Sequence, residues 1–375
     1  MKENDIIVIY KVIIMIKSAL RDTTLLRKWE NINDPNQINN ELFLDIFKNL
    51  ENHENAILNK EAIFNIFKLL VLAAEGETLE MLNKHENIKN AINFISKSSP
   101  MENHKVTLFL RNGINSINNE YKKQIQEIFN KNNVTFDIQK LETKDDLKFH
   151  IQIEVTSKGQ WKYPLKIKES GDDNDIFNIL PNKSEKVTML TLKNTSIHTV
   201  IAKKFGILTC DIFKFPLKDE KYSVLIILPQ KISTAKELTN NIIPNMSNII
   251  KIINGEGREY EYDEIRIPYI YYEREYELID SLSKVPILRS MINNFNIDGM
   301  YKEEWKGYSI SLNTKLIVQN TARIEVAESS PSTNVIRLNR PFVHCTCDEI
   351  NNEILQVGTF TTPILENNNK FNYFV

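Results

Sequence analysis

One stretch near the C-terminal end combines residue types that bind transition metals: His344, Cys345, Thr346, Cys347 and Asp348. It continues an apolar run and predicts a strand, in which successive side chains point to opposite faces. Cys345 and Cys347 then share one face, while His344 points to the other. Zinc sites need about four converging ligands. We therefore interpret the two thiols as buried strand cysteines and predict no metal site.

The other candidates for catalytic or cofactor chemistry are not supported by their surroundings. The sequence has no Gly-x-Ser-x-Gly elbow of the hydrolase type. The run Gly255–Arg258 lacks the third glycine and the strand-to-helix setting of a dinucleotide loop, and it favours a hairpin turn. The histidines lie in helical or polar contexts without an obvious partner, among them His53, His85, His104 and His198. We predict neither an enzyme nor a bound cofactor.

Charge and composition argue against a nucleic-acid partner. The formal net charge of the 375-residue chain is −2, so no global attraction to phosphate exists. The run Tyr260–Tyr276 is rich in tyrosine, which stacks on bases in single-stranded complexes. It also carries many acids, which repel phosphate. We interpret this run as a solvated sheet face.

Residues 1–38 are predicted to form an N-terminal extension. Its apolar stretch, Ile6–Ile16, is interrupted by Lys11 and meets the criteria for a signal peptide only in part. A signal segment and a buried helix both remain open. The stretch is too short for a membrane span, so we expect no stable membrane insertion. We expect a secreted protein, with a cytoplasmic location as the alternative.

Periodicity predicts one mixed domain over residues 39–375. Helical spacing of apolar residues begins near Asn39 and recurs from Ile63 to Val71. Phe149–Val155 alternates strictly, which predicts a strand with one buried face. Tyr222–Pro229 is almost continuously apolar, which indicates a strand buried on both faces. The fold class is α+β, and we expect a monomer.

Several short sequence motifs, in order along the chain, resemble motifs of the serpin family. The run Ala322–Glu328 resembles the strand that leads into the serpin reactive loop, and Arg340–Cys345 resembles the strand that follows it. Two further motifs also resemble serpin motifs, Lys158–Trp161 and Tyr222–Pro229. The resemblance implies a serpin-like fold, with mixed and antiparallel sheets packed against helices, and an extracellular inhibitor of serine proteases.

The same comparison shows departures from the family pattern. Ser330 stands where a glycine is expected after Glu328, and Pro331 follows it. The reactive loop, about residues 329–340, is then too short to donate a strand that crosses the sheet. Only Gln139–Lys148 is available for a long helix that lies across the main sheet in serpins, so that helix is predicted to be missing. Two serines that assist sheet opening in the family correspond to Asn59 and Ala62.

These departures predict a serpin scaffold without suicide inhibition. Arg337–Leu338 is the basic bond in this loop, and a trypsin-like serine protease is the expected partner if the bond is exposed. We favour a non-inhibitory binding or decoy protein, or a protease substrate. A working trypsin-like protease inhibitor with its bait bond near Arg337 is the first alternative. A structural or partner-binding module unrelated to proteases is the second.

Overall fold

The computed structural model describes most of the chain between residues 32 and 363. The described residues are 32, 34–76, 79–80, 83, 90, 102–111, 117–142, 149–163, 166–167, 175–187, 189–285, 288–289, 308–319 and 334–363. The predictions on the N-terminal apolar stretch and on Glu328, Ser330 and Pro331 fall outside these residues.

Four of the described helices begin at side chains that accept hydrogen bonds from the first turn. Asp34, Asn59 and Asn118 each accept from a backbone N–H, and Thr234 forms a capping box with Glu237. The first described helix begins at Pro35, four residues before the predicted position. The helices are α1 (Pro35–Lys48), α2 (Lys60–Ala73), α3 (Asn119–Lys131), α4 (Ala235–Asn241), α5 (Met246–Glu256) and α6 (Ile279–Ser283).

The described strands occupy the positions between and after these helices. They are β1 (Ile57–Asn59), β2 (Glu102–Leu110), β3 (Thr135–Lys140), β4 (Phe149–Gln160), β5 (Lys166–Ile167), β6 (Ile176–Leu180), β7 (Lys183–Lys186), β8 (Met189–Phe205), β9 (Leu208–Pro216), β10 (Tyr222–Pro229), β11 (Arg258–Pro268), β12 (Tyr271–Glu277), β13 (Tyr308–Gln319), β14 (Val335–Arg337), β15 (Phe342–Asp348) and β16 (Glu353–Phe360).

Two large sheets organise the described residues. One has nine strands in the order β1-β16-β15-β10-β9-β8-β11-β14, with β5 paired to β8. The other has five strands in the order β12-β13-β4-β2-β3. In the five-stranded sheet, β13 and β4 run parallel and pair along twelve residues. The strand β12 follows β11 directly in the chain, so this short connection carries the backbone from one sheet to the other.

The core divides at β10, whose eight residues are all buried. Leu225 and Ile227 pack in the cluster that holds α1, α2 and the inner face of the five-stranded sheet. Ile226 and Leu228 pack in a second cluster, with Trp161. Alternate side chains of one strand therefore enter two separate cores. The predicted burial of this strand on both faces is confirmed.

Two local predictions are wrong. The glycines at 255 and 257 end a helix and do not form a hairpin turn, because the apolar spacing of α5 continues to Ile253 and the Gly257 N–H bonds the Ile253 carbonyl oxygen at 3.1 Å. The run 260–276 does not form one solvated face. It is divided between β11 and β12, which belong to different sheets, and Ile265 of β11 is fully buried.

Among the described residues, no helix is both long enough and apolar enough to cross a membrane. The helices described above have at most fourteen residues, whereas a spanning helix needs about twenty.

Candidate functional site

The segment between β13 and β14 joins the two large sheets. Its first fixed end is Gln319, which is in register with Gln160 at the end of the parallel ladder. Its second fixed end is Asn334. The Asn334 N–H donates to Asp263 Oδ2 at 3.0 Å, and its Nδ2 donates to the Glu261 carbonyl oxygen at 2.6 Å. Fourteen residues, 320–333, connect these two anchors.

The structure does not place Arg337–Leu338 in an exposed loop, so that part of the sequence prediction is wrong. Arg337 lies in β14, which pairs in parallel with β11, and Arg337 is opposite Arg266. The Leu338 N–H donates to the Arg266 carbonyl oxygen at 2.9 Å, and its side chain is fully buried. The Arg337 side chain is exposed, but the bond after it is held on both sides by strand pairing and core packing.

The five-stranded sheet is closed between β4 and β13. The paired residues run from Tyr308 opposite Phe149 to Gln319 opposite Gln160. Twelve residues in a strand span about 40 Å. A strand inserted along this whole ladder would need the same number of residues, because the spacing per residue is fixed.

The connection from β3 to β4 is short, as the sequence predicted. Lys140 ends β3 and Phe149 begins β4, which leaves eight residues between them. Eight residues in a helix extend about 12 Å, far less than the length of β4. A long helix across the sheet therefore cannot be encoded between these strands. On the face of β4 and β13 that points away from the core, His150 Nε2 lies 3.1 Å from Ser311 Oγ.

The turn after β1 is fixed by Asn59. Its Oδ1 accepts from the Ala62 N–H at 2.9 Å, which caps α2, and its Nδ2 donates to Glu102 Oε1 at 2.7 Å. Ser157 of β4 donates to the same Glu102 oxygen at 3.2 Å. This network ties α2 to two strands of the five-stranded sheet through a carboxylate.

The cysteine pair lies as predicted from strand alternation. Cys345 and Cys347 share one face of β15, with their Sγ atoms 3.3 Å apart, while His344 points to the other core. The Cys345 thiol and burial together raise the pKa of Cys347 well above its ordinary value. Burial lowers the pKa of His344 to about 3. The three side chains do not converge on one point.

A histidine that the sequence left without a partner has two. His104 lies on β2, not in a helix, and its Nε2 is 3.2 Å from Glu102 Oε2 and 3.5 Å from Glu61 Oε2. Burial opposes protonation of His104, but the hydrogen bond and charge of Glu102 and the charge of Glu61 outweigh it and raise its pKa. Local sequence patterns carry little signal for this cluster, because 41 positions separate Glu61 from Glu102.

Comparisons with known proteins agree on one family. The family model described as Serpin (serine protease inhibitor) matches residues 138–363, more than half of the chain. The structure is similar to uncleaved ovalbumin, with a TM-score of 0.66, 17% identity, and coverage of 86% of this chain and 98% of that one. It is also similar to native protease nexin-1 with heparin, with a TM-score of 0.64, 18% identity, and coverage of 88% and 100%. None of the curated protein sequences matches this chain.

Proposed function

The chain belongs to the serpin family, and we propose that it is a non-inhibitory member, a binding or decoy protein that does not trap proteases by strand insertion. The observation that carries this proposal is the length of the connecting segment. Fourteen residues join β13 to β14, and the ladder between β4 and β13 is itself twelve residues long, so almost none are left over for a turn and an exposed bond.

A connecting segment of fourteen residues leaves no accessible peptide bond at the position where a protease would have to cleave it. A segment that inserts beside β13 must first reverse direction, which takes about two to four residues, and then pair along twelve. The turn and the twelve paired residues together use all of residues 320–333. The peptide bond that the protease cleaves would therefore lie at or beyond Asn334. Asn334 is held by Asp263 and Glu261, and β14 begins at the next residue. A protease would have to detach β14 before it reached such a bond.

Two further features support the proposal. Pro331 lies within the connecting segment and has no N–H to donate to a sheet ladder. Asn59, at the start of α2, donates to Glu102 of β2, which also accepts from Ser157 on the paired strand β4, so moving β2 and β4 together away from β13 would break a bond to a buried carboxylate. Both features oppose the opening and filling of the five-stranded sheet.

The test uses the purified full chain and a panel of trypsin-, chymotrypsin- and elastase-like serine proteases. Denaturing electrophoresis detects a covalent complex, and a melting curve of the cleaved product detects insertion, since an added central strand raises the melting temperature strongly. We expect cleavage or no reaction, no covalent band and an unchanged melting temperature. A matched variant with about twelve Gly/Ser residues added after Ser332 tests the length argument directly.

The alternative function is inhibition of a trypsin-like protease, which the family membership favours. A stable covalent complex with the unmodified chain would establish it and refute the proposal. Reversible inhibition without a covalent band would support a binding role with a protease as the partner. If no protease binds, the non-inhibitory proposal stands, and the partner belongs to another class of protein.

A further inference from the structure

Glu61, Glu102 and His104 form a compact cluster of ligand-type side chains at the junction of α2 and β2. One oxygen of each carboxylate and one nitrogen of the imidazole all lie within 4.8 Å of one another. The side chains of His104, Glu102 and Glu61 are 1%, 3% and 10% exposed. Ionised carboxylates at this depth need a positive partner, a role that a protonated His104 or a bound metal ion can fill.

Two of the three distances between ligand atoms fit the edges of a metal coordination tetrahedron. Zinc binds imidazole nitrogen and carboxylate oxygen at about 2.0–2.2 Å, so two ligand atoms in a tetrahedral site lie about 3.4 Å apart. His104 Nε2 is 3.2 Å from Glu102 Oε2 and 3.5 Å from Glu61 Oε2. Both distances are close to this value.

A second set of contacts orients the Glu102 carboxylate. Asn59 Nδ2 and Ser157 Oγ both donate to Oε1, at 2.7 and 3.2 Å. Oε2 is thereby turned toward His104. Hydrogen bonds of this kind, to the oxygen that does not bind the ion, are the usual means by which proteins fix a carboxylate ligand.

Two carboxylates and one amine face the cluster. These groups are Glu61 and Lys68 of α2 and Glu102 of β2, and the Lys68 amine lies 3.4 Å from Asn65 Oδ1. The two carboxylates match the charge of one divalent ion.

The geometry points to a divalent-cation site of the zinc class, in which Glu61, Glu102 and His104 are the protein ligands and water fills the fourth position. This site is separate from the connecting segment and does not depend on the proposed function. A bound ion would join α2 to β2 and, through Glu102 and Ser157, to β4. It would hold α2 against the paired strands β2 and β4 of the five-stranded sheet.

The experiment uses the untagged full chain after removal of metal with a chelator. Calorimetric titration with ZnCl₂ measures affinity and stoichiometry, and Co²⁺ absorption reports the coordination geometry. We expect one saturable zinc site, a tetrahedral cobalt spectrum and a higher melting temperature with zinc. His104→Gln and Glu61→Gln should each weaken zinc binding by about tenfold or more.

His150→Gln is the matched control, because His150 lies in the same sheet but contacts Ser311 on the other face. It should bind zinc like the unmodified chain. Melting curves without zinc establish that each variant is folded, and having one ligand variant on α2 and one on β2 guards against a single variant that fails to fold. Absence of saturable binding, or equal affinity in His104→Gln and the unmodified chain, would overturn the proposal.

Discussion

Tyr272 and His344 connect the two large sheets through a 2.9 Å hydrogen bond between the phenol oxygen and Nε2. The Tyr272 hydroxyl also donates to the Thr359 carbonyl oxygen at 3.0 Å. A phenol has one proton to donate, so His344 must donate through Nε2. Both side chains are buried. A polar chain of three residues therefore crosses the interface between β12 and the pair β15–β16.

Tyr272→Phe is expected to lower the free energy of unfolding by about 1–3 kcal/mol, because His344 loses its acceptor and Thr359 loses a donor inside the core. Urea unfolding measures the change. Tyr260→Phe is the matched control, since Tyr260 is 37% exposed, and it should change stability little. A Tyr272→Phe variant as stable as the control would contradict the role assigned to this bond.

The low pKa of His344 predicts loss of stability in mild acid. Burial holds this pKa near 3, below the value of about 6.5 in the unfolded chain, so the folded state binds fewer protons between these two values. The contribution of the neutral His344 imidazole to the free energy of unfolding is fully present above about pH 6.5. It falls by about 1.4 kcal/mol for each pH unit as the pH drops toward 3.

The measurement compares unfolding at pH 7 and pH 5 for the unmodified chain and for His344→Gln, which keeps a donor for Tyr272 and does not titrate. We expect the unmodified chain to lose about 2 kcal/mol more than the variant over this interval. The same pH dependence in both proteins would show that His344 is not the titrating group.

The ion pair between Lys60 and Glu353 is buried, with side chains 4% and 5% exposed and a separation of 2.5 Å. Lys60→Met should cost about 3–5 kcal/mol of stability, because it leaves Glu353 charged and unpaired among α1, α2 and β16. Denaturant unfolding measures the loss. Lys162→Met is the matched control, since Lys162 pairs with Glu220 at 2.8 Å on the surface, and it should change stability little.

The double variant Lys60→Met with Glu353→Leu separates loss of a charge from loss of packing. We expect it to recover most of the stability lost in Lys60→Met, because no buried charge remains. Recovery close to zero would mean that Lys60 acts through other contacts, such as its 3.2 Å hydrogen bond to Asn40 Oδ1.

The strand position of Arg337 predicts that trypsin does not cut the folded protein first at Arg337–Leu338, because a protease binds an extended segment free of strand pairing. Limited digestion followed by mass spectrometry of the early fragments identifies the first cut. Arg337→Ala should leave the early pattern unchanged. An early fragment that begins at Leu338 would show that β14 detaches readily.

The resemblance and the periodicity together predicted much of the fold. Strict alternation identified β4, the apolar run identified β10, and the spacing around Ile63 identified α2. Alternation in β15 also separated the two cysteines from His344 correctly. Local patterns succeed in these elements because each strand or helix buries one face or both against the core.

The candidate site was predicted less well. The strand pattern of Val335, Ile336 and Leu338 was present in the sequence, but a short edge strand is hard to distinguish from a loop when its partner, β11, is some seventy positions away. Glu61 and His104 meet only because α2 packs beside β2. Contacts between residues distant in sequence depend on tertiary packing, which a local pattern does not contain.

The placement of β15 between β10 and β16 has a consequence for the integrity of the chain. Residues after 333 supply β14, β15 and β16, and β15 pairs with strands on both of its sides. A cut between β13 and β14 would therefore give two polypeptides that stay associated through the pairing of β15 with β10. The C-terminal piece, supplied as a separate polypeptide during folding, is therefore expected to restore the nine-stranded sheet.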